Sequence, residues 1–386
     1  ALGEHDGPAF LAVSRPSHEL AALRGARVCR EALPELSYEA RARIWRSRLG
    51  AEPVASDAEL DALAGAFRLS GGQIRDAVAA ACARAADQER PLALADLYAA
   101  CRALAADSIG KLAWKVPLTY SWDDIVLPPD QLERLREIVA QVRHRRTVLE
   151  RWGFGRHLAM GKGLNVLFAG ESGTGKTMAA EIVAAELGLE LYKVDLAGMV
   201  SKYIGETEKN LDRVFTAARE ANAVLFFDEA DAIFGKRSEV KDAHDRYANI
   251  EVGYLLQRIE AYDGVVILAT NLRSNLDVAF VRRLHIVIDF PLPKEAERLR
   301  IWRKVFPPAA PLAPDVDLQA LARDFNLAGG NIRNIALLAA YLAAEDDAPI
   351  GMAHIGHALR REYQKIGRML SDADLRRLGL APGARQ

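Results

Sequence analysis

Cysteine is scarce in this 386-residue chain: Cys29, Cys82 and Cys101 are too few and too scattered for a disulfide framework or a close-spaced metal site. No apolar run approaches the roughly 18 residues that a membrane-spanning helix needs, and no signal peptide opens the sequence. An excess of one charge is missing as well. Lys and Arg total 51 against 52 Asp and Glu, a formal net charge of −1. No overall basic field therefore points to nucleic acid or anionic lipid. The 8 histidines form no ligand cluster with cysteine. The expected setting is reducing and cytoplasmic, without a membrane. What is present is ordinary globular composition, 50% hydrophobic and 27% charged, over a length that holds two or three compact units.

The chain also repeats itself. "LPELSYEARARIW" (Leu33–Trp45) returns as "FPLPKEAERLRIW" (Phe290–Trp302) 257 residues on, and "FLAVS" (Phe10–Ser14) falls opposite "ILATN" (Ile267–Asn271) at that spacing. "FRLSGGQIRDA" (Phe67–Ala77) returns as "FNLAGGNIRNI" (Phe325–Ile335) at 258. Matched Trp, Gly-Gly and Ile-Arg landmarks in nearly constant register predict two copies of one module, the first incomplete. Both repeat tails carry apolar residues at helical spacing around a Gly-Gly break. Residues 130–150 predict another amphipathic helix, opened by "PPD". Between 164 and 290 the texture changes to short β-favouring runs separated by helical stretches: "LNVLFAG", "ELYKVD", "AVLFFDE", "VVILATN" and "HIVIDF". That alternation predicts a parallel sheet with crossover helices.

"GESGTGKT" (Gly170–Thr177) fits G-x-x-x-x-G-K-[ST] between a strand and the helix "MAAEIVAAEL". Glycines let backbone N–H groups curl around phosphate oxygens, and the helix N-terminus adds positive potential. The expected phosphate contacts run through Gly170, Glu171, Ser172, Gly173, Thr174, Gly175, Lys176, Thr177 and Met178. Lys176 would reach the β- and γ-phosphates, and the Thr177 hydroxyl would face Mg²⁺. "VLFFDEAD" is an apolar strand that ends in two acids, Asp228 and Glu229. Packing gives no reason for adjacent carboxylates there. Asp228 is expected to hold Mg²⁺ through water, with Thr177 as the other metal-side residue, and Glu229 to act as general base.

With these motifs in place, residues 120–345 resemble an AAA+ ATPase of the AAA clade that includes proteasomal, katanin-like and FtsH-type motors. The resemblance implies an α/β P-loop NTPase sheet with a helical lid, preceded by the C-terminal part of a second, degenerate AAA-like module. It implies that Asp124, Ile125 and Val126 lie beside adenine, that Asn271 is the polar sensor near the γ-phosphate, and that Arg333 is the lid arginine. It implies that Arg282 and Arg283 are fingers for a neighbouring subunit's nucleotide. Lys202, Tyr203, Ile204 and Gly205 resemble a first pore loop that grips polypeptide, and His244, Asp245 and Arg246 fall in the second. The stretch "FGKRSEVKDAHDRYANIEVGYLLQRIEAYDG", with "LDVAFVRRL", resembles bacterial AAA ATPases encoded with extracellular contractile injection systems.

The resulting expectation is a protein-remodelling or unfolding ATPase that uses ATP/ADP and Mg²⁺ in a self-assembled ring, a hexamer by resemblance. It would act on a protein substrate, with contractile injection components as partners. A nucleic-acid motor or loader, and an ATP-dependent assembly scaffold, are the alternatives. The expected partition is 1–33 as remnant α/β subdomain, 34–115 as first lid, 116–291 as nucleotide-binding subdomain, 292–370 as second lid and 371–386 as tail. The first copy's phosphate loop would lie upstream of Ala1, which points to a longer protein. Ser14, Gly25 and Ala26 stand where the second copy has Asn271, Arg282 and Arg283, so the first copy reads as degenerate.

Overall fold

The computed structural model describes residues 36–50, 54–109, 113–157, 163–194, 206–231, 253–271 and 278–368. The chain divides into two compact units after Ser37, and every described helix and strand belongs to the second, Tyr38–Gln386. The predicted remnant at 1–33, the tail at 371–386, Cys29 and both pore-loop stretches lie outside the described residues.

A parallel sheet positions the site. Its strands are β2 (Leu164–Ala169), β3 (Leu191–Val194), β4 (Val224–Phe227), β5 (Val265–Thr270) and β6 (Ile286–Asp289). They lie in the order β3-β4-β5-β2-β6, every neighbour parallel. β2 and β5 are buried along their whole length, as strands covered on both faces should be. One difference from the sequence expectation concerns the edge. β1 (Ala113–Val116) pairs antiparallel with β3, Ala113 opposite Val194, so the sheet begins inside the stretch expected to close the first lid at 115. The stretch AWKV lacks the strict apolar/polar alternation that would announce a strand.

Helices cover both faces. α5 (Pro129–Arg146), with proline at its first position, and α6 (Lys176–Leu187) pack Leu135, Ile138 and Val183 onto Val166, Phe168, Phe226 and Ile267. On the other face, α7 (Glu206–Ala221) and helical residues 253–261 pack Phe215 and Leu255, with Tyr262 just beyond, against Leu225, Phe227 and Leu268. The short α8 (Val278–Val281) precedes β6. A lid follows: α9 (Glu295–Val305), α10 (Leu318–Asp324), α11 (Gly329–Glu345) and α12 (Met352–Lys365), closed around Trp302, Leu321, Ile332 and Leu359.

An earlier bundle has the same plan: α1 (Tyr38–Leu49), α2 (Asp57–Ala66), α3 (Gly71–Asp87) and α4 (Leu94–Ile109), around Trp45, Leu63, Ile74 and Cys101. The correspondence reaches individual contacts. Arg41 Nε donates to Ala64 O at 3.1 Å, and its counterpart Arg298 Nε donates to Ala322 O at 2.7 Å. Trp45 and Trp302 are both fully buried, and each leaves its indole Nε1 without a hydrogen bond. Gln73 Oε1 accepts from Ser70 N in α3, where Asn331 Oδ1 accepts from Ala328 N in α11. Such capping satisfies N–H groups that a helix cannot satisfy itself.

This bundle sits at the N-terminal ends of the parallel strands, with α4 along α7. Arg68 pairs with Asp263 at 2.8 Å, and Gln73 Nε2 donates to Glu220 at 2.9 Å. Arg102 and Lys115 both reach Glu190, at 3.2 and 2.7 Å. Burial raises the Cys101 thiol pKa to about 12 and keeps it neutral.

Candidate nucleotide-binding site

At the opposite, C-terminal ends of the strands lies a cavity of about 630 Å³. It is lined by the glycine loop from Ser172 to Met178, the acids Asp228 and Glu229, and Asn271. Tyr120 and the segment from Asp124 to Pro128 form another wall, and lid residues Ile301, Lys304, Gly329, Gly330 and Arg333 close over them. The crevice outside strand C-termini is where open α/β sheets take ligands.

Sequence-local chemistry builds the loop. Gly173 has φ +79, a left-handed conformation that favours glycine. At Gly170 a Cβ would come within 2.2 Å of Phe290 O, so only glycine allows the loop to leave β2 there. Lys176 Nζ donates to Gly170 O at 2.7 Å, Glu171 O at 2.9 Å and Asn271 Oδ1 at 2.9 Å. Burial lowers the Lys176 pKa, opposed by the charges of Asp228 and Asp231. Glu171 and Gly170 do not line the cavity itself; they supply the carbonyls that hold the lysine.

Both oxygens of Asp228 are engaged. Its Oδ1 accepts from Glu229 N at 3.0 Å and its Oδ2 from Lys193 Nζ on β3 at 2.6 Å. Glu229 is exposed at φ +52, a strained conformation for a residue that is not glycine. Asp231 Oδ1 accepts from Thr270 Oγ1 at 2.7 Å and from Asn271 N at 3.4 Å, which fixes the tip of β5 beside the lysine. On the other wall, Asp124 accepts from the backbone and hydroxyl of Ser121 at 2.7 and 2.8 Å, and these bonds hold its carboxyl below the usual range. Lys304 of α9 donates to the Asp123 carbonyl and ties the lid to this segment.

The structure thus brings Asp124, Ile125, Val126, Ser172 to Met178, Asp228, Glu229, Asn271 and Arg333 to one cavity. Arg282 and Arg283 do not line it; both are exposed, and Arg283 pairs with Glu260 at 3.2 Å. Sequence reasoning missed Lys193, Asp231, Lys304 and Glu181. Glu181, set in the apolar run from Met178 to Ala185 of α6, was the available signal. The donor set of Thr177 hydroxyl and Asp228 carboxylate beside an anion-binding loop fits a hard divalent ion such as Mg²⁺. Among the described residues, no group of His, Cys, Asp and Glu forms a metal cluster of its own.

A glycine loop at a helix N-terminus, facing an acidic strand end under a helical lid, defines a P-loop nucleotide site. Residues 166–292 match the family model of the ATPase family associated with various cellular activities (AAA). Over those residues the chain carries an AAA ATPase domain. Residues 37–107 and 294–363 match the contractile injection system ATPase helical domain, and in this the chain resembles the ATPases of those systems. It is 33% identical to the 26S proteasome subunit RPT4 of Saccharomyces cerevisiae over 228 residues, 56% of this chain and 50% of the yeast subunit. It is 39% identical to the ATP-dependent zinc metalloprotease FtsH 3 of Sphaerobacter thermophilus over 186 residues, 46% of this chain and 37% of that protease. Identity to the proteasome-activating nucleotidase of Aeropyrum pernix is 35% over 196 residues, 49% of this chain and 48% of that protein. The chain therefore spans half or less of the length of these relatives. No described helix is long and apolar enough to cross a membrane.

Proposed function

We propose that this chain hydrolyses ATP at the interfaces of a ring of its own copies, a hexamer by resemblance, and uses the cycle to remodel or thread polypeptide. One observation carries the reading. A single chain builds a complete phosphate cradle, acidic strand end and lid, yet both finger arginines lie outside its cavity. They are then available to a neighbouring copy's nucleotide. In the proposed cycle, Lys176 turns from its loop carbonyls to the β- and γ-phosphates. Thr177 and Asp228 would hold Mg²⁺, which neutralises phosphate charge when bound. Asn271 and Glu229 orient and deprotonate the attacking water. Arg282 or Arg283 of the adjacent copy meets the charge that develops on the γ-phosphate, and Arg333 carries its loss to the lid.

Likeness to proteasome-activating and FtsH-type proteins supports polypeptide as substrate, gripped at Tyr203 and Ile204. The match to the injection-system helical domain supports a role for the chain alongside such particles, and the proposed compartment is the cytoplasm. The first bundle, docked away from the cavity, serves as an assembly element of a degenerate module.

The test is turnover against concentration. The rate per chain should climb steeply as copies associate. Glu229→Gln should bind ATP and stall, and Lys176→Ala should lose nucleotide binding. Tyr203→Ala should keep basal turnover and lose work on an unfolded protein. A rate per chain that does not change with association sinks the reading. Stimulation by DNA or RNA with a steep salt dependence would move it to a nucleic-acid motor.

A further inference from the structure

Two grooves of opposite charge lie beside the parts that a ring contact would bring together. One runs along the outer edge of β6, which pairs only with β2 among the described strands. It encloses about 410 Å³ between α5 and the residues His285, Ile286 and Val287. Asp130, Glu133, Arg134 and Glu137 of α5 line it, and all four are exposed. Arg134 is already engaged, with Asp130 at 3.4 Å and with the Val287 carbonyl at 3.3 Å. Glu133 and Glu137 stand one turn apart on one face of α5 and make no hydrogen bond or ion pair among the described residues. His285 does not offset them. Its Nδ1 accepts from Asn165 N at 3.0 Å, and partial burial, then the charge of Arg145, lowers its pKa. The groove is acidic.

The other groove, about 600 Å³, lies between the phosphate loop and the lid. It shares Ser172, Gly173, Gly330 and Arg333 with the nucleotide cavity. Lys365, the last residue of α12, and Arg368, three residues beyond it, bring exposed positive charge to its rim. Buried Glu362 is already satisfied by Asn331 and Asn334, at 2.9 and 3.2 Å, with Lys365 3.6 Å away. The Arg368 guanidinium has no partner among the described residues, so against the one exposed acid, Glu171, the rim is basic. At the matching positions of the first copy stand Asp107 and Gly110. The basic end therefore belongs to the copy that carries the phosphate loop.

Chain connectivity relates the two grooves. His285 follows Arg283 by two residues, a span of at most about 7 Å. A finger segment that enters a neighbour's cavity thus carries the acidic groove up to the phosphate loop, the wall that the basic groove shares. Ring contacts are heterologous and join two different surfaces of one chain. Opposite charge on those surfaces fixes their register and speeds their encounter.

We propose that the acidic groove between α5 and β6 of one copy docks on the basic end of α12 of the next, with Glu133 and Glu137 facing Lys365 and Arg368. This rests on the ring and the finger segment proposed above.

Sedimentation of the full chain with Mg²⁺ and a slowly hydrolysed ATP analogue reads the contact. Glu133→Lys with Glu137→Lys should weaken association about tenfold or more, because like charges then meet. Lys365→Glu with Arg368→Glu should weaken it similarly. All four substitutions together should return association to within about threefold of the wild type, as expected of coupled charges. Added salt should weaken the wild type. Arg368→Glu alone leaves Lys365 beside Glu362, so with Glu137→Lys it gives the same rescue test if the double reversal does not fold. Reversals that leave association unchanged overturn the proposal, and so do losses that the combined variant fails to restore. Either result leaves the ring itself standing. If the wild type associates at no concentration, the ring reading has failed, and this contact with it.

Discussion

At the scale of single residues, backbone groups as well as opposite charges hold several of the described charged side chains. Lys176 rests on two loop carbonyls and an asparagine oxygen, and Asp124 on two bonds from one serine. Asp96 at the start of α4 combines both devices. Arg90 grips it with two bonds of 2.7 Å each, and its Oδ2 also accepts from Ala93 N at 3.0 Å. The arginine first, and the backbone bond second, hold the Asp96 carboxyl at about 2, below its ordinary 3.8. A depressed carboxylate favours the fold while it is ionised. Its contribution is therefore fully present above about pH 3.8 and is lost as pH falls toward about 2. Urea midpoints of wild type and Asp96→Asn should differ at neutral pH and converge on acidification through that window. Midpoints separated equally at pH 7 and pH 2.5 would contradict the capping role.

At the scale of elements, the repeat offers a control experiment inside one chain. In the lid, Gly330 N donates to Gly173 O at 2.8 Å, and a Cβ on Gly330 would lie 2.9 Å from Gly173 Cα. Its counterpart Gly72 in α3 would meet nothing within 4 Å. Gly330→Ala must therefore push the lid off the phosphate loop, at the roughly 1–3 kcal/mol typical of overpacking. Titration with a fluorescent ATP analogue should show about tenfold or greater weakening. Gly72→Ala should leave affinity alone and raise the thermal midpoint slightly, because alanine favours helix over glycine by up to about 1 kcal/mol. The contrast also shows what was legible in the sequence. Gly-Gly was readable in both copies as a helix break, and the phosphate loop as chemistry, because each is written in adjacent residues. That one pair faces the loop and the other open space depends on which elements meet. Lys304 with Asp123, Lys193 with Asp228 and Arg68 with Asp263 join residues far apart along the chain. No local periodicity encodes such pairs. The strand Ala113–Val116 was hidden for another reason: its partner strand, rather than its own pattern, makes it a strand.

At the scale of the whole molecule, what remains exposed bears on assembly. Leu337 and Tyr341, one turn apart on α11, are 56% and 67% exposed, whereas the matching positions of the first copy are Ala79 and Ala83. In the proposed ring we assign that apolar face to the contact with a second copy of this chain. Leu337→Asp with Tyr341→Asp should lower association in sedimentation while each chain still binds ATP. The finger arginines give the sharper test, because they differ in their surroundings. Arg283 is tied to Glu260 at 3.2 Å, whereas Arg282 is exposed and makes no ion pair or hydrogen bond among the described residues. A group that must stabilise transient charge on another chain works best if it need not first leave a partner of its own. Arg282→Ala should therefore carry the main loss, on the order of 10³ or more in turnover of the assembled protein, the scale of a finger supplied in trans. Arg283→Ala should lose less, chiefly by freeing Glu260 and loosening the α8 turn. Single-turnover rates above the association threshold, with nucleotide affinity measured in parallel, separate the two variants. If Arg283→Ala proves the slower enzyme, the roles are exchanged. If neither variant slows the assembled protein, neither arginine is the finger, and the assignment of this segment to the interface fails.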